Sequence, residues 1–137
     1  MAENKKRVDY ALSDTENEKK RLREQSRIII ETTRRVFALA GIEPGMRVLE
    51  LGTGAGDVAI LLSEMVGPDG EVVSLEKNPE IQESARKRAE AGGHGNIKFV
   101  CCDIPAAEPE GEFDALVGRA VLMYIPRPEK VLANLLK

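Results

Sequence analysis

The chain has 137 residues, of which 42% are hydrophobic and 31% charged, and a formal net charge of −3. That length makes room for one ordinary domain, and the balance excludes a disordered chain. The longest apolar run, Val58-Ala59-Ile60-Leu61-Leu62, is far short of the roughly 20 residues that cross a bilayer, so no membrane partner is expected. The amino terminus, Met1-Ala2-Glu3-Asn4-Lys5-Lys6-Arg7, mixes charge signs and leads into no apolar segment. A secretory signal is therefore not expected, and the expected location is cytoplasmic.

Residues 1–41 carry ten Lys/Arg against seven Asp/Glu, net +3, and residues 42–137 carry ten against sixteen, net −6. The basic part alternates in sign along Glu16, Glu18, Lys19, Lys20, Arg21, Arg23 and Glu24, the pattern of a solvated helix face. It has no clustered aromatics and no nucleic-acid motif, so no nucleic acid is expected as partner. Ser13 with Glu16, or Thr15 with Glu18, has capping-box spacing. Ile29, the Thr33 methyl, Val36, Phe37 and Ala40 then recur at helical spacing. Gly41 closes this helical prefix, and Pro44-Gly45 makes a turn.

Beyond the turn, short apolar runs alternate with helical patterns. Strands are expected at Arg47–Leu51, Glu71–Leu75, Ile97–Cys102 and Phe113–Gly118, and helices at Asp57–Val66, Pro79–Ala91 and Pro128–Leu136. Asn78 stands as N-cap of the second helix, with Pro79 at its first position and Gly92-Gly93 beyond its end. Strands alternating with helices predict an α/β fold with parallel pairing. Only ten residues, Asp103 to Glu112, join the last two strands. Fully extended they reach about 33 Å, enough for a parallel return, so spacing leaves parallel and antiparallel pairing both open.

The two cysteines, Cys101 and Cys102, are adjacent, which excludes a disulfide framework and, with His94 the only histidine, makes a poor metal site. Core packing is expected for the pair, and no metal is expected.

The most informative stretch is Val48-Leu49-Glu50-Leu51-Gly52-Thr53-Gly54-Ala55-Gly56-Asp57. A strand ends, three glycines follow at alternate positions, and a helix begins. Glycine there admits positive φ and lets a ligand approach the backbone, while the helix start offers free N–H groups. The dinucleotide fingerprint needs its third glycine at position 57, where this chain has Asp57. A carboxylate there would repel a pyrophosphate, which disfavours a nicotinamide cofactor and favours a nucleoside ligand without phosphate. Glu76, twenty residues beyond Gly56, ends the second strand and can accept both hydroxyls of a ribose. Asp103 can accept the exocyclic amine of adenine, and Ile104 can flank the base.

These residues resemble the class I S-adenosylmethionine-dependent methyltransferases: the glycine loop after Val48-Leu49-Glu50-Leu51, Glu76 after Val72-Val73-Ser74-Leu75, and Asp103-Ile104 after Phe99-Val100. The segment from Phe113 to Tyr124 resembles the family's fourth motif in its small-molecule branch, which has a Gly-Arg pair like Gly118-Arg119. Tyr10, Leu22, Arg23 and Gln25 are similar to that branch's helical prefix, which folds over the cofactor. The resemblance implies a Rossmann-like cofactor-binding domain at residues 42–137 with a helical lid at residues 1–41. It also implies S-adenosylmethionine as cofactor, S-adenosylhomocysteine as product and a small-molecule acceptor. Gly52, Gly54 and Gly56 would then meet the methionine part, with Glu50 near its ammonium group. Glu76 would hold the ribose, Asp103 and Ile104 the adenine, and Arg119 would stand near the transferred methyl.

His94 lies in a glycine-rich loop before the third strand, at the edge away from the ligand, so no general base is assigned. Family members usually have seven strands, and this sequence supplies four. The fourth strand would then form an edge without charge or proline to block pairing. The sequence therefore predicts a truncated or engineered fragment, or self-association through that edge. Methyl transfer to a small molecule and a cofactor-binding half-domain without turnover are the two functional expectations.

Overall fold

A computed structural model describes residues 15–136, which divide between Val36 and Phe37 into two compact units. Tyr10 and Ser13, and the side chains of Thr15, Leu22 and Arg23, lie outside what is described. Gln25 is exposed.

Helix α1 runs from Thr15 to Ala40. Its apolar spacing makes it helical without burying every member of the stripe, since Ile29 and Val36 remain half exposed. Thr33 is buried and its hydroxyl donates to the Ile29 carbonyl at 2.7 Å. Gly41, at φ +100°, ends the helix. The Ile42 N–H bonds the Phe37 carbonyl at 3.0 Å and the Gly41 N–H bonds Ala38 at 3.1 Å, a Schellman closure that only a left-handed residue allows.

The second unit alternates strand and helix: β1 (Arg47–Leu51), α2 (Asp57–Val66), β2 (Glu71–Glu76), α3 (Pro79–Ala91), β3 (Ile97–Cys101), β4 (Ala115–Gly118) and α4 (Pro128–Leu135). Single 3₁₀ turns lie at Ile104–Ala106 and Leu122–Tyr124. The sheet order is β3-β2-β1-β4 and every pairing is parallel. This is the Rossmann-like arrangement expected of an α/β chain, and it settles the direction of the ten-residue return. That return contains one 3₁₀ turn, so chain length rather than a helix spans it. β4 starts two residues later than the apolar run suggests, because Asp114 is held outside the ladder. Its N–H bonds the Arg47 carbonyl and its Oδ2 accepts from the Arg47 N–H, both at 2.8 Å.

Strands buried on both faces have apolar residues at consecutive positions, and β1 and β2 do. Val48 and Val72 point into one cluster with Val58, Leu62 and Val66 of α2. Leu49, Leu51, Val73 and Leu75 point into the other, with Ile104, Ala107 and Val131 of α4. Each such aliphatic side chain contributes about 1.5–3 kcal/mol by leaving water. By the same alternation Glu50 and Ser74 fall on the α2 side, in phase with Val48 and Val72.

The cysteines depart from expectation. Both are free, but Cys101 is exposed and Cys102 is half-buried. β3 is a sheet edge, and a strand with one neighbour lacks cover on its outer side; Cys102 alone packs against the α4-side cluster. Among the described residues no helix is long and apolar enough to cross a membrane.

Candidate functional site at the carboxyl ends of the strands

The glycine loop is seated on the end of β2. The N–H groups of Gly52 and Thr53 both reach the Leu75 carbonyl, at 2.9 and 3.0 Å. Gly52 sits at φ +82° with its missing Cβ only 2.9 Å from Val121 Cγ2. Gly56 sits at φ +94° with Ala85 Cβ 3.1 Å away. A side chain at either place would meet both backbone strain and a packed neighbour. Gly54, at φ +53°, faces open space, so its backbone is the part of the loop that a ligand can approach.

Glu76 ends β2 and turns its carboxylate onto the loop. Oε1 accepts from the Gly54 N–H at 3.1 Å, and Oε2 from the Asn78 N–H at 3.2 Å. A carboxylate has about four lone-pair directions, so acceptor capacity remains for two hydroxyls. Gly52, Glu76, Asp103 and Ile104 together line a cleft of about 710 Å³, with Val121 and Tyr124 also in its lining. That volume is within the range of small-molecule sites, roughly 300–1,000 Å³. Asp103 is exposed there, and Ile104 is buried at the cleft floor.

The other predicted residues are placed differently. Gly56 is buried against α3 and does not line the cleft. Arg119 is exposed, in electrostatic reach of Glu50. Glu50 lies beneath the loop and is 1% exposed. Ser74, its partner across the β1–β2 register, donates to Glu50 Oε1 at 2.5 Å, and the Thr53 hydroxyl is 2.6 Å from Ser74 Oγ. Glu50 Oε2 is buried with no hydrogen-bond partner. Burial pushes its carboxyl up to about 8, against the Ser74 bond and the Arg119 charge and with help from the Glu76 charge.

Two features were not foreseen. Ser74 and Thr53 form the support of Glu50, and a polar residue inside Val72-Val73-Ser74-Leu75 was the available signal. Asp57 is not a bare charge facing a ligand: its Oδ1 pairs with Arg88 Nη1 at 2.6 Å, and Arg88 also reaches the Ala55 carbonyl at 3.2 Å. The repulsion expected from Asp57 toward a pyrophosphate is therefore offset by α3. His94 is at the amino end of β3, away from the cleft, with Nδ1 3.3 Å from Ser63 Oγ. Among the described residues no group of three or more His, Cys, Asp or Glu side chains is placed to hold a metal ion.

The residues fit an adenosyl amino acid on three counts: an orphaned buried acceptor at Glu50, open backbone at Gly54, and a ribose-capable carboxylate at Glu76.

Residues 42–137 match the family described as "Methyltransferase domain". A protein-L-isoaspartate O-methyltransferase of Pyrococcus horikoshii is 37% identical over 94 residues, which are 68% of this chain and 42% of that protein. The chain thus spans less than half the length of the curated relatives it first matches. A solved S-adenosylmethionine-dependent methyltransferase from Aquifex aeolicus superposes with a TM-score of 0.69 at 27% identity, covering 74% of this chain and 54% of that one. The N-terminal domain of EvdMO1, solved with SAH bound, gives 0.65 at 25% identity over 75% of this chain and 43% of that one. With a four-stranded parallel sheet, a glycine loop at the end of β1 and a family match over most of its length, the chain belongs to the S-adenosylmethionine-dependent methyltransferase-domain family.

Proposed function

We propose that residues 42–137 bind S-adenosylmethionine in the cleft beside the glycine loop and pass its methyl group to a small-molecule acceptor. One observation carries the reading: Gly52, Glu76, Asp103 and Ile104, which come from the ends of β1, β2 and β3, line a single cleft. Ligands of open α/β sheets bind at that carboxyl edge. In this reading Glu76 holds the ribose hydroxyls and Asp103 accepts from the adenine amine over Ile104. The backbone of Gly52 and Gly54 meets the amino-acid end, and Gly56 holds the loop against α3. Glu50 acts on the ammonium group from beneath, and Arg119 stands beside the methionine end.

The cofactor supplies a methyl group already activated on a sulfonium, so what the protein must add is alignment and exclusion of water. Residues 1–41 then form a prefix to the cofactor-binding domain at 42–137. Self-association through the β4 edge belongs to the same proposal, since β4 pairs only with β1 among the described residues.

Calorimetry with S-adenosylhomocysteine tests the cofactor site. Wild-type chain binds it, and Glu76→Ala weakens binding at least tenfold; no binding by the wild type overturns the reading. A second acceptor is favoured by the relatives, whose names specify protein L-isoaspartate. Labelled-methyl transfer to an isoaspartyl peptide, compared with the matching aspartyl peptide, tests that acceptor. Binding without transfer to any acceptor leaves a cofactor-binding half-domain.

A further inference from the structure

We propose that Glu50 is neutral before the cofactor arrives and that seating the cationic amino-acid end of S-adenosylmethionine ionises it, so that cofactor capture expels one proton. This rests on the cofactor reading above. Glu50 belongs to β1 and is 1% exposed, with Oε1 bonded to Ser74 and Oε2 lacking any partner. A buried carboxylate in that state loses hydration with only one hydrogen bond in return, which favours the protonated form.

The charges around Glu50 are few. Glu76 of β2 opposes its ionisation and Arg119, just after β4, favours it. Helix α2 covers that face with Val58 and Leu62, and Asp57 at its start is paired with Arg88. Ser74 and Thr53 are polar but uncharged. The Glu76 carboxylate lines the cleft and its charge already reaches Glu50. In the cofactor reading the ammonium group lies on the Gly52 and Gly54 backbone, and Thr53 between them connects to Glu50 through Ser74; a cation seated there acts on Glu50 with the sign opposite to that of Glu76, and the low-dielectric surroundings strengthen that coupling. The proton leaves the Glu50 carboxyl for solvent, and the carboxylate left behind, buried beneath the glycine loop, is stabilised by the ammonium charge seated on that loop.

A titration with S-adenosylhomocysteine in buffers of different ionisation enthalpy counts the protons released. Near pH 7 the wild type is expected to release close to one per ligand bound, with affinity rising about tenfold per pH unit below neutrality and levelling in the alkaline range. Glu50→Gln has nothing to release: it binds more weakly, and its affinity does not rise with pH as that of the wild type does. Ser74→Ala removes the bond that favours the carboxylate, so the pH at which affinity levels moves upward, a change that a purely structural role does not produce. Tight binding with the same proton count in wild type and Glu50→Gln overturns the proposal and leaves the cofactor site standing. Absence of binding at every pH overturns both.

Discussion

Ser74 Oγ donates to Glu50 Oε1 at 2.5 Å across the register that pairs these two residues on β2 and β1. Among the described residues Ser74 is the one hydrogen-bond donor to this carboxyl group, whose second oxygen has none, so the pair joins a supporting contact to a deficit.

The deficit makes folding stability depend on pH. Glu50 is raised from 4.5 to about 8 in the folded chain, so between those values the folded state holds a proton that the unfolded state has lost. Its contribution is fully present below pH 4.5 and disappears as pH rises toward 8. The slope is on the order of 1 kcal/mol per pH unit. Urea unfolding of wild type and Glu50→Gln across pH 5 to 8.5 is expected to show the stability difference shifting in favour of Gln as pH rises. Parallel pH profiles for the two proteins would show that Glu50 is charged throughout.

Gly52 is required twice over, by its φ of +82° and by Val121 Cγ2 at 2.9 Å from the Cβ it lacks. Gly52→Ala is expected to cost about 2–4 kcal/mol, the sum of backbone strain and overpacking. Val121→Ala in the same chain removes the collision and leaves the strain, so the double variant should recover part of the loss. Strict additivity of the two substitutions in thermal unfolding would mean that the loop and the Val121 segment do not touch.

Arg47 anchors the return between β3 and β4. Its guanidinium lies 4.1 Å from the Phe113 ring centroid, donates to the carbonyls of Glu110 and Glu112 at 2.8 and 3.1 Å, and pairs with Glu71 at 3.1 Å. A lysine has no planar fork with which to serve these partners together. Arg47→Lys should therefore recover little of the roughly 1–3 kcal/mol lost in Arg47→Ala. Amide exchange of residues 108–114 should quicken in both variants.

The fold was largely legible because its signals are local. Asn78 and Pro79 start α3, and the Asn78 side chain accepts from Glu80 and Ile81 N–H groups as the spacing predicts. The runs in β1 and β2 are apolar at consecutive positions because α2 and α4 contribute to cores on both faces. What was not legible depends on contacts between distant residues. Arg88 meets Asp57 from another helix, and no periodicity in either segment announces it. Ser74 was readable only with the register, since its value lies in standing opposite Glu50. The direction of β4 was open because a ten-residue link is long enough for both returns.

Asn96 closes α2 from outside the helix. Its Nδ2 donates to the carbonyls of Ser63 at 3.1 Å and Gly67 at 2.8 Å, and its Oδ1 accepts from Ser63 Oγ. The Ser63 and Gly67 carbonyls already accept from the backbone N–H groups of Gly67 at 3.2 Å and Gly70 at 3.1 Å, so this one side chain adds a second donor to each and also serves a buried hydroxyl. Asn96→Ala leaves Ser63, which is 5% exposed, with His94 as its remaining side-chain partner, and is expected to cost about 1–3 kcal/mol. Asn96→Asp keeps Oδ1 and loses the donor, placing a carboxylate against two carbonyl oxygens, so it should be worse than alanine near neutral pH and improve as the acid is protonated. Unfolding of both variants at pH 4 and pH 7 checks the order. If Asn96→Asp equalled wild type at pH 7, the amide donor would contribute nothing, and α2 would be held by its apolar face alone.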